Sequence, residues 1–260
     1  MNVAMIRATL IASVLCRDGL LVCSDRREML PNGGRVDTMR KVFPIGTNAL
    51  YGATGSVELH DPDATDSFDV HTVVKNFFVQ GGTLTLERIT PGLATALETA
   101  AKGFFDSVKP RDWRRSYTGG GEMFRVVIYL ALDGQITEVD TVGTLRVTSD
   151  AVGLSASQHV THPYVAHFQA LGGDGTSLVL ASILGQPNPI WADLLADPLA
   201  NSILFRKQDV RTLSLDDAER FARRLILVMS ERKGLLGLDN DVSPQADCHV
   251  LTYGGDVSGR

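Results

Sequence analysis

The stretch that decides the fold is residues 9–55, TLIASVLCRDGLLVCSDRREMLPNGGRVDTMRKVFPIGTNALYGATG. It opens with an apolar run at residues 9–15, and a second apolar run follows at residues 20–24. A turn signal that contains Asp18-Gly19 joins the two runs. Apolar runs on either side of an Asp-Gly turn are typical of a β-hairpin, so we predict two antiparallel strands here.

Two more strands are predicted in the second half of this stretch, at residues 41–45 and 49–53. The hairpin places the Thr9 hydroxyl at the start of one strand and the Asp25 carboxylate at the end of its partner. The Lys41 ammonium stands at the head of the next strand. Antiparallel pairing brings the start of one strand beside the end of its neighbour, so we expect these three groups to meet in space.

Length, charge and hydropathy limit the classes of protein to consider. The chain has 260 residues, which is enough for one large domain or two small ones. Its net charge of -5 argues against nucleic acid as the main partner, because domains that bind nucleic acid usually carry a basic surface. No apolar run approaches the ~18–20 residues that cross a bilayer, and the N-terminal run lacks the small-residue cleavage site of a signal peptide.

The three cysteines, Cys16, Cys23 and Cys248, are odd in number and widely spaced. Each lies in or beside an apolar strand pattern, and their spacing matches neither a disulfide framework nor a zinc site. We therefore expect cysteines packed as thiols in strands, in a protein of the reducing cytoplasm.

The order of elements beyond residue 55 indicates the fold class. Helices are predicted at residues 69–79, from Pro91 to about Val108, at residues 177–184 and from Ser214 to about Arg232. Strands are predicted at residues 124–132, 136–140 and 249–253, a loop at residues 159–163, and an insertion with a short helix at residues 186–212. Hairpin strands with helices inserted in pairs favour an α+β fold, with two antiparallel sheets and helices outside them.

The opening stretch also resembles the start of proteasome β-type subunits and their bacterial relatives, which are N-terminal-nucleophile hydrolases with a four-layer αββα fold. The likeness rests on the spacing of Thr9, Asp25, Lys41 and Gly55 along residues 9–57. Beyond residue 57 only the order of elements is similar. The resemblance implies a single domain at residues 9–260, with residues 1–8 as a pro-segment.

By this resemblance, Thr9 is the nucleophile once residues 1–8 have been removed. A threonine hydroxyl needs a base, and a freed α-amine has a reference pKa of about 7.7–8.0, so Thr9 would supply its own base. Lys41 would favour the neutral amine, and Asp25 would hold Lys41 in place. The amide of Gly55 would face the developing oxyanion, and the small side chain of Ala53 would shape a roomy substrate pocket.

The resemblance further implies a peptide or protein substrate, a homo-oligomeric ring and an ATPase unfoldase as partner. It implies neither a cofactor nor a metal. The scattered histidines agree with this expectation, because they form no HExxH or similar metal-binding pattern.

The sequence departs from the family pattern at three points. Ala8 precedes the nucleophile where the family usually has glycine, and a methyl group there could slow self-cleavage. The loop at residues 172–176 lacks the family's serine, and the supporting aspartate and serine have only loose counterparts around Asp239, Asp241 and Ser243. A second hypothesis therefore stays open, in which the chain is an unprocessed, inactive subunit with a structural role.

Each candidate residue also has a plainer interpretation. Thr9 is a common strand residue, and Lys41 could be a surface lysine. Asp25 could end its strand in solvent, where a surface ion pair contributes only ~0–1 kcal/mol. Under these plainer interpretations, the side chains of Lys41 and Asp25 would be exposed to solvent.

Overall fold

The computed structural model describes residues 4–8, 10–29, 34–60, 67–79, 85–107, 121–148, 150–161, 168–171, 196–204, 212–235 and 242–260. The strands in these ranges are β1 Ala4–Ala8, β2 Ile11–Cys16, β3 Gly19–Asp25, β4 Glu28–Met29, β5 Arg35–Val36, β6 Val42–Ile45, β7 Ala49–His60, β8 Phe68–Asp69, β9 Gly121–Leu132, β10 Gln135–Val147, β11 Val152–Thr161, β12 Phe168–Leu171, β13 Ala246–Thr252 and β14 Val257–Gly259. The helices are α1 Val70–Val79, α2 Leu86–Phe105, α3 Pro198–Leu204 and α4 Leu215–Leu235.

Two antiparallel sheets make up the body of the protein. The larger sheet has the order β1-β7-β9-β10-β11, with β6 and β8 paired to β7 off this path. The smaller sheet has the order β12-β2-β3-β13-β14. The predicted hairpin is confirmed, because β2 and β3 pair directly from Ile11 opposite Ser24 to Cys16 opposite Gly19.

Apolar side chains fill three layers parallel to the sheets. One layer lies between the two sheets and includes Ile11, Val22, Leu50 and Val127. A second layer lies between the larger sheet and helices α1 and α2, and a third lies between the smaller sheet and α4. The predicted arrangement of two antiparallel sheets with helices outside them is therefore confirmed.

Local signals fix where the helices begin. At the start of α4 the amide of Asp217 donates to the Ser214 hydroxyl over 3.2 Å, as expected for an N-cap serine. Helix α2 begins at Leu86, earlier than predicted, but non-helical backbone angles at Thr90 divide it. Its longer part starts at Pro91, where proline suits a first helical turn.

The structure corrects two strand predictions. Residues 4–8, which have no clear periodicity in sequence, form the strand β1 and pair with β7. Residues 159–161, predicted as a loop, are the end of β11, which pairs with β10 from Val152 to Thr161. The polar side chains there suggest a loop because sequence pattern reports side chains, whereas strand pairing depends on the backbone.

The prediction that all three cysteines are thiols is wrong for two of them. Cys23 and Cys248 form a disulfide with their Cα atoms 4.1 Å apart, and Cys16 is free and buried. The two cysteines are 225 residues apart in sequence but lie directly opposite each other on β3 and β13. Only the pairing of these two strands brings them together, so spacing in the sequence gives no sign of it.

Several predicted features lie outside the described residues. They are the helix at residues 177–184, the loop at residues 172–176 and most of the insertion at residues 186–212. The described part of the insertion contains α3, in line with the short helix expected there. None of the described helices is long and apolar enough to cross a membrane.

Candidate active site

The Asp25 carboxylate, at the end of β3, accepts hydrogen bonds from several parts of the chain. Its Oδ1 atom accepts from Lys41 Nζ over 2.7 Å and from the Leu10 amide over 3.0 Å. Its Oδ2 atom accepts from the amides of Arg27 and Ser243 over 3.0 and 3.2 Å. These hydrogen bonds fix the carboxylate in position.

The pair formed by Asp25 and Lys41 is buried. The side chain of Asp25 is 0% exposed and that of Lys41 is 1% exposed. This rules out the interpretation of Lys41 as a surface lysine and of Asp25 as a solvated strand end. Desolvating two charges is costly, and they are tolerated only with good geometry and further hydrogen bonds, which the backbone amides around Asp25 provide.

Thr9, the predicted nucleophile, lies outside the described residues, but both of its neighbours in the chain are described. Leu10, on one side, donates its amide to Asp25. Ala8, on the other side, is the last residue of β1 and lies opposite Gly55 in the pairing with β7. The residues on either side of Thr9 thus contact two of the residues that the sequence grouped with it.

Gly55 has a backbone conformation that favours glycine. Its φ angle is +87°, and a Cβ atom built there would overlap the carbonyl oxygen of Met123. The backbone of β9 therefore comes too close for a side chain at this position. The glycine predicted from its place in the motif is thus also required by the local packing.

Ala53, predicted to shape a substrate pocket, lies on β7 opposite Val126. Its side chain is 0% exposed and belongs to the apolar layer beneath α1 and α2. A side chain that selects substrate must be accessible to it, and Ala53 has no exposed surface here. Its role in substrate selection stays a prediction.

Ser243 belongs to the site, although no role was assigned to it from the sequence. It is 0% exposed, its amide donates to Asp25, and its hydroxyl accepts from the Gln245 amide over 3.1 Å. The weak signal in the sequence was its place after the last long helix. It lies 218 residues from Asp25, so only the fold shows which of the nearby polar residues reaches the carboxylate.

Arg27 also belongs to this region rather than to the solvated surface. Its Nε and Nη2 atoms donate to the two carboxylate oxygens of Asp37, each over 2.7 Å. Its Nη1 atom donates to the carbonyl oxygen of Val242 over 3.2 Å. The Arg27 guanidinium in turn holds the pKa of Asp37 below its ordinary value.

A second group of polar side chains occupies strands β9 and β10. Burial raises the pKa of Asp140 to about 6, although Arg125 lies 3.3 Å from its carboxylate and opposes the shift. Glu138 and Glu122 raise this pKa further through charge repulsion. The Tyr129 hydroxyl, on the strand beside Glu138, is also buried.

Within the part of the chain that the structure describes, no group of three or more histidine, cysteine or acidic side chains is arranged to hold a metal ion. The comparisons with known proteins add no family, because neither the family models nor the curated proteins give a match to this chain.

Proposed function

We propose that the chain is a self-processing threonine-type peptidase or amidohydrolase in which Thr9 is the nucleophile. One observation carries the proposal. Asp25, in its buried ion pair with Lys41, accepts a hydrogen bond from the amide of Leu10, the residue after Thr9. A buried pair of lysine and carboxylate, in which the carboxylate binds the residue next to a threonine in the chain, is the kind of charged group that can activate a nucleophile.

The position of Ala8 supports self-cleavage of the Ala8–Thr9 bond. Ala8 supplies the carbonyl group that would be attacked, and it lies opposite Gly55, the residue proposed to supply the oxyanion amide. Backbone amides that face a developing oxyanion lower the barrier to acyl transfer. The pairing of β1 with β7 supports the proposal, because it places Ala8 opposite Gly55.

The proposed processing is an acyl shift followed by hydrolysis. The Thr9 hydroxyl oxygen attacks the carbonyl carbon of Ala8, the bond from that carbon to the Thr9 nitrogen breaks, and the hydroxyl proton ends on the departing amine. Water then hydrolyses the ester, which leaves a carboxylic acid at Ala8 and a free amine and hydroxyl at Thr9.

After processing, the same residues would cleave a peptide or other amide. The Thr9 amine accepts the proton of its own hydroxyl as that oxygen attacks the substrate carbonyl, and it returns the proton to the leaving amine. Lys41 stabilises the negative charge that develops on the oxygen, and Asp25 keeps Lys41 in place. Water hydrolyses the acyl-enzyme and restores the hydroxyl.

The mass of the purified intact chain tests the proposal. We expect a mature species that begins at Thr9 in the wild-type protein and an uncut chain in the Thr9→Ala variant. Thr9→Ser is the matched control, because it keeps a hydroxyl and should still be processed. Normal processing of Thr9→Ala would contradict the proposal.

A second function, that of an unprocessed structural subunit, is favoured by a different observation. Residues 4–8 form a strand of the larger sheet, with a register shift between Ile6 and Arg7, and this strand would be lost on processing. An uncut wild-type chain in a well-folded particle would favour this alternative. Native mass spectrometry of the same sample would also test the homo-oligomeric ring and any ATPase unfoldase partner, which rest on the resemblance.

A further inference from the structure

The residues that contact Asp25 come from segments that are far apart in the sequence. Asp25 ends β3, Lys41 follows the small sheet formed by β4 and β5, and Ser243 precedes β13. A buried ion pair is useful only if its geometry is held, because small displacements leave charges without partners. Further contacts are therefore needed to keep the segments that carry Lys41 and Ser243 in position around the Asp25 carboxylate.

Arg27 contacts the segments that deliver Lys41 and Ser243. It follows Asp25 by two residues in the chain and its amide donates to Asp25 Oδ2. Its guanidinium binds both oxygens of Asp37, four residues before Lys41. The same guanidinium binds the carbonyl oxygen of Val242, the residue before Ser243.

We propose that Arg27 and Asp37 are positioning residues that hold Lys41 and Ser243 on Asp25. We call this pair, with its contact to the Val242 carbonyl, the Arg27–Asp37 clasp. The proposal rests on the proposed function for its effect on processing, but its effect on the geometry of Lys41 can be measured without any activity.

The chemistry of the pair suits this role. A planar guanidinium that binds both oxygens of a carboxylate fixes orientation as well as distance, and lysine cannot replace it in this respect. The Arg27 side chain is 11% exposed and that of Asp37 is 33% exposed, so solvent screens the pair less than an ordinary surface pair. Ser243 lies close enough to Asp37 to lower its pKa further, which joins the clasp to the amide donor of Asp25.

The test compares Arg27→Lys with a matched control, Arg223→Lys. Arg223 has the same kinds of partner, since it donates to Glu219 over 2.7 Å and to the carbonyl oxygen of Ala246 over 2.8 Å. The two readouts are the rate of processing at the Ala8–Thr9 bond and the acylation of Lys41 by an amine-reactive ester, mapped by peptide mass spectrometry. Asp37→Asn, which keeps the shape of the side chain, replaces Arg27→Lys if the latter does not fold.

We expect Arg27→Lys to make Lys41 reactive and to slow processing by about 10²-fold, the loss expected when reacting groups are misplaced by about 1 Å. Arg223→Lys should change neither readout. The double variant Arg27→Lys/Asp37→Glu should recover part of both, because the longer glutamate can reach the shorter lysine.

The outcomes separate the two proposals. If the wild type is never processed but Arg27→Lys exposes Lys41, the clasp stands and the proposed function fails. If Lys41 stays protected in both Arg27→Lys and Asp37→Asn, the clasp is overturned, whatever happens to processing.

Discussion

Lys41 Nζ donates to Asp25 Oδ1 over 2.7 Å, and both side chains are withdrawn from solvent. The two residues stand 16 positions apart, at the end of one strand and just before another. Their contact joins the smaller sheet, which contains β3, to the start of β6 in the larger sheet. The ion pair is thus part of the fold as well as of the candidate site.

Replacing Lys41 by methionine should abolish processing and destabilise the fold. Removing one partner of a buried ion pair costs about 3–5 kcal/mol, and we expect the lower end because the amides of Leu10 and Ser243 still stabilise Asp25. Intact mass and urea unfolding measure the two effects. The control is Lys102→Met, whose side chain is 74% exposed in a surface pair with Asp106, and a change of less than ~1 kcal/mol is expected there. A processed Lys41→Met chain would remove Lys41 from the mechanism.

Gly55→Ala should lower the free energy of unfolding by about 1–3 kcal/mol through backbone strain, with a further loss from overlap with the Met123 carbonyl. Processing should also slow, because the Gly55 backbone must move. Gly46→Ala separates the two causes, since Gly46 has a φ of +57° but open space around a Cβ atom. Urea unfolding of both variants provides the comparison, and equal losses would show that the overlap at Gly55 is unimportant.

Removing the disulfide by Cys23→Ala/Cys248→Ala should destabilise the protein by about 2–5 kcal/mol, because the bond closes a loop of 225 residues in the unfolded chain. Urea unfolding measures the loss, with Cys16→Ala as the control. Thiol labelling of the denatured wild-type protein should modify Cys16 alone before reduction and all three cysteines after it. Labelling of all three without a reductant would show that Cys23 and Cys248 are not bonded.

Asp140 should make the protein less stable as the pH rises. Its pKa is raised from 3.8 to about 6, so its neutral form is favoured in the folded state. The stability that this gives is full below about pH 4 and is lost as the pH rises through about 6, with a total change of up to about 3 kcal/mol. Asp140→Asn should therefore gain stability over the wild type above pH ~6 and show a flatter pH dependence.

Urea unfolding at a series of pH values tests this expectation, with the exposed Asp150→Asn as the control. The groups that act on Asp140 are Arg125 and His159, which lower its pKa, and Glu138 and Glu122, which raise it. An Asp140→Asn variant that is less stable than the wild type at high pH would show that the contact with Arg125 outweighs burial.

Much of the fold could be predicted because its signals are local. The Asp-Gly turn and its flanking apolar runs define the β2–β3 hairpin, and Ser214 marks the start of α4. The meeting of Asp25 and Lys41 also follows from a short segment, because strand pairing within residues 9–55 leaves few other arrangements. The strand formed by residues 4–8 could not be predicted, since its partner β7 lies about 50 residues away along the chain and no turn signal joins the two.

The sequence by itself determined the hairpin, the two antiparallel sheets with helices outside, and the meeting of Asp25 with Lys41. Turn chemistry and runs of apolar residues act over a few residues, so they can be read along the chain. Only the tertiary structure decided that Ser243 reaches Asp25, that Arg27 binds both Asp37 and Val242, and that Cys23 meets Cys248. The contacts of Ser243, Val242 and Cys248 close loops of more than 200 residues, and their partners are selected by sheet register and packing rather than by any pattern near them in sequence.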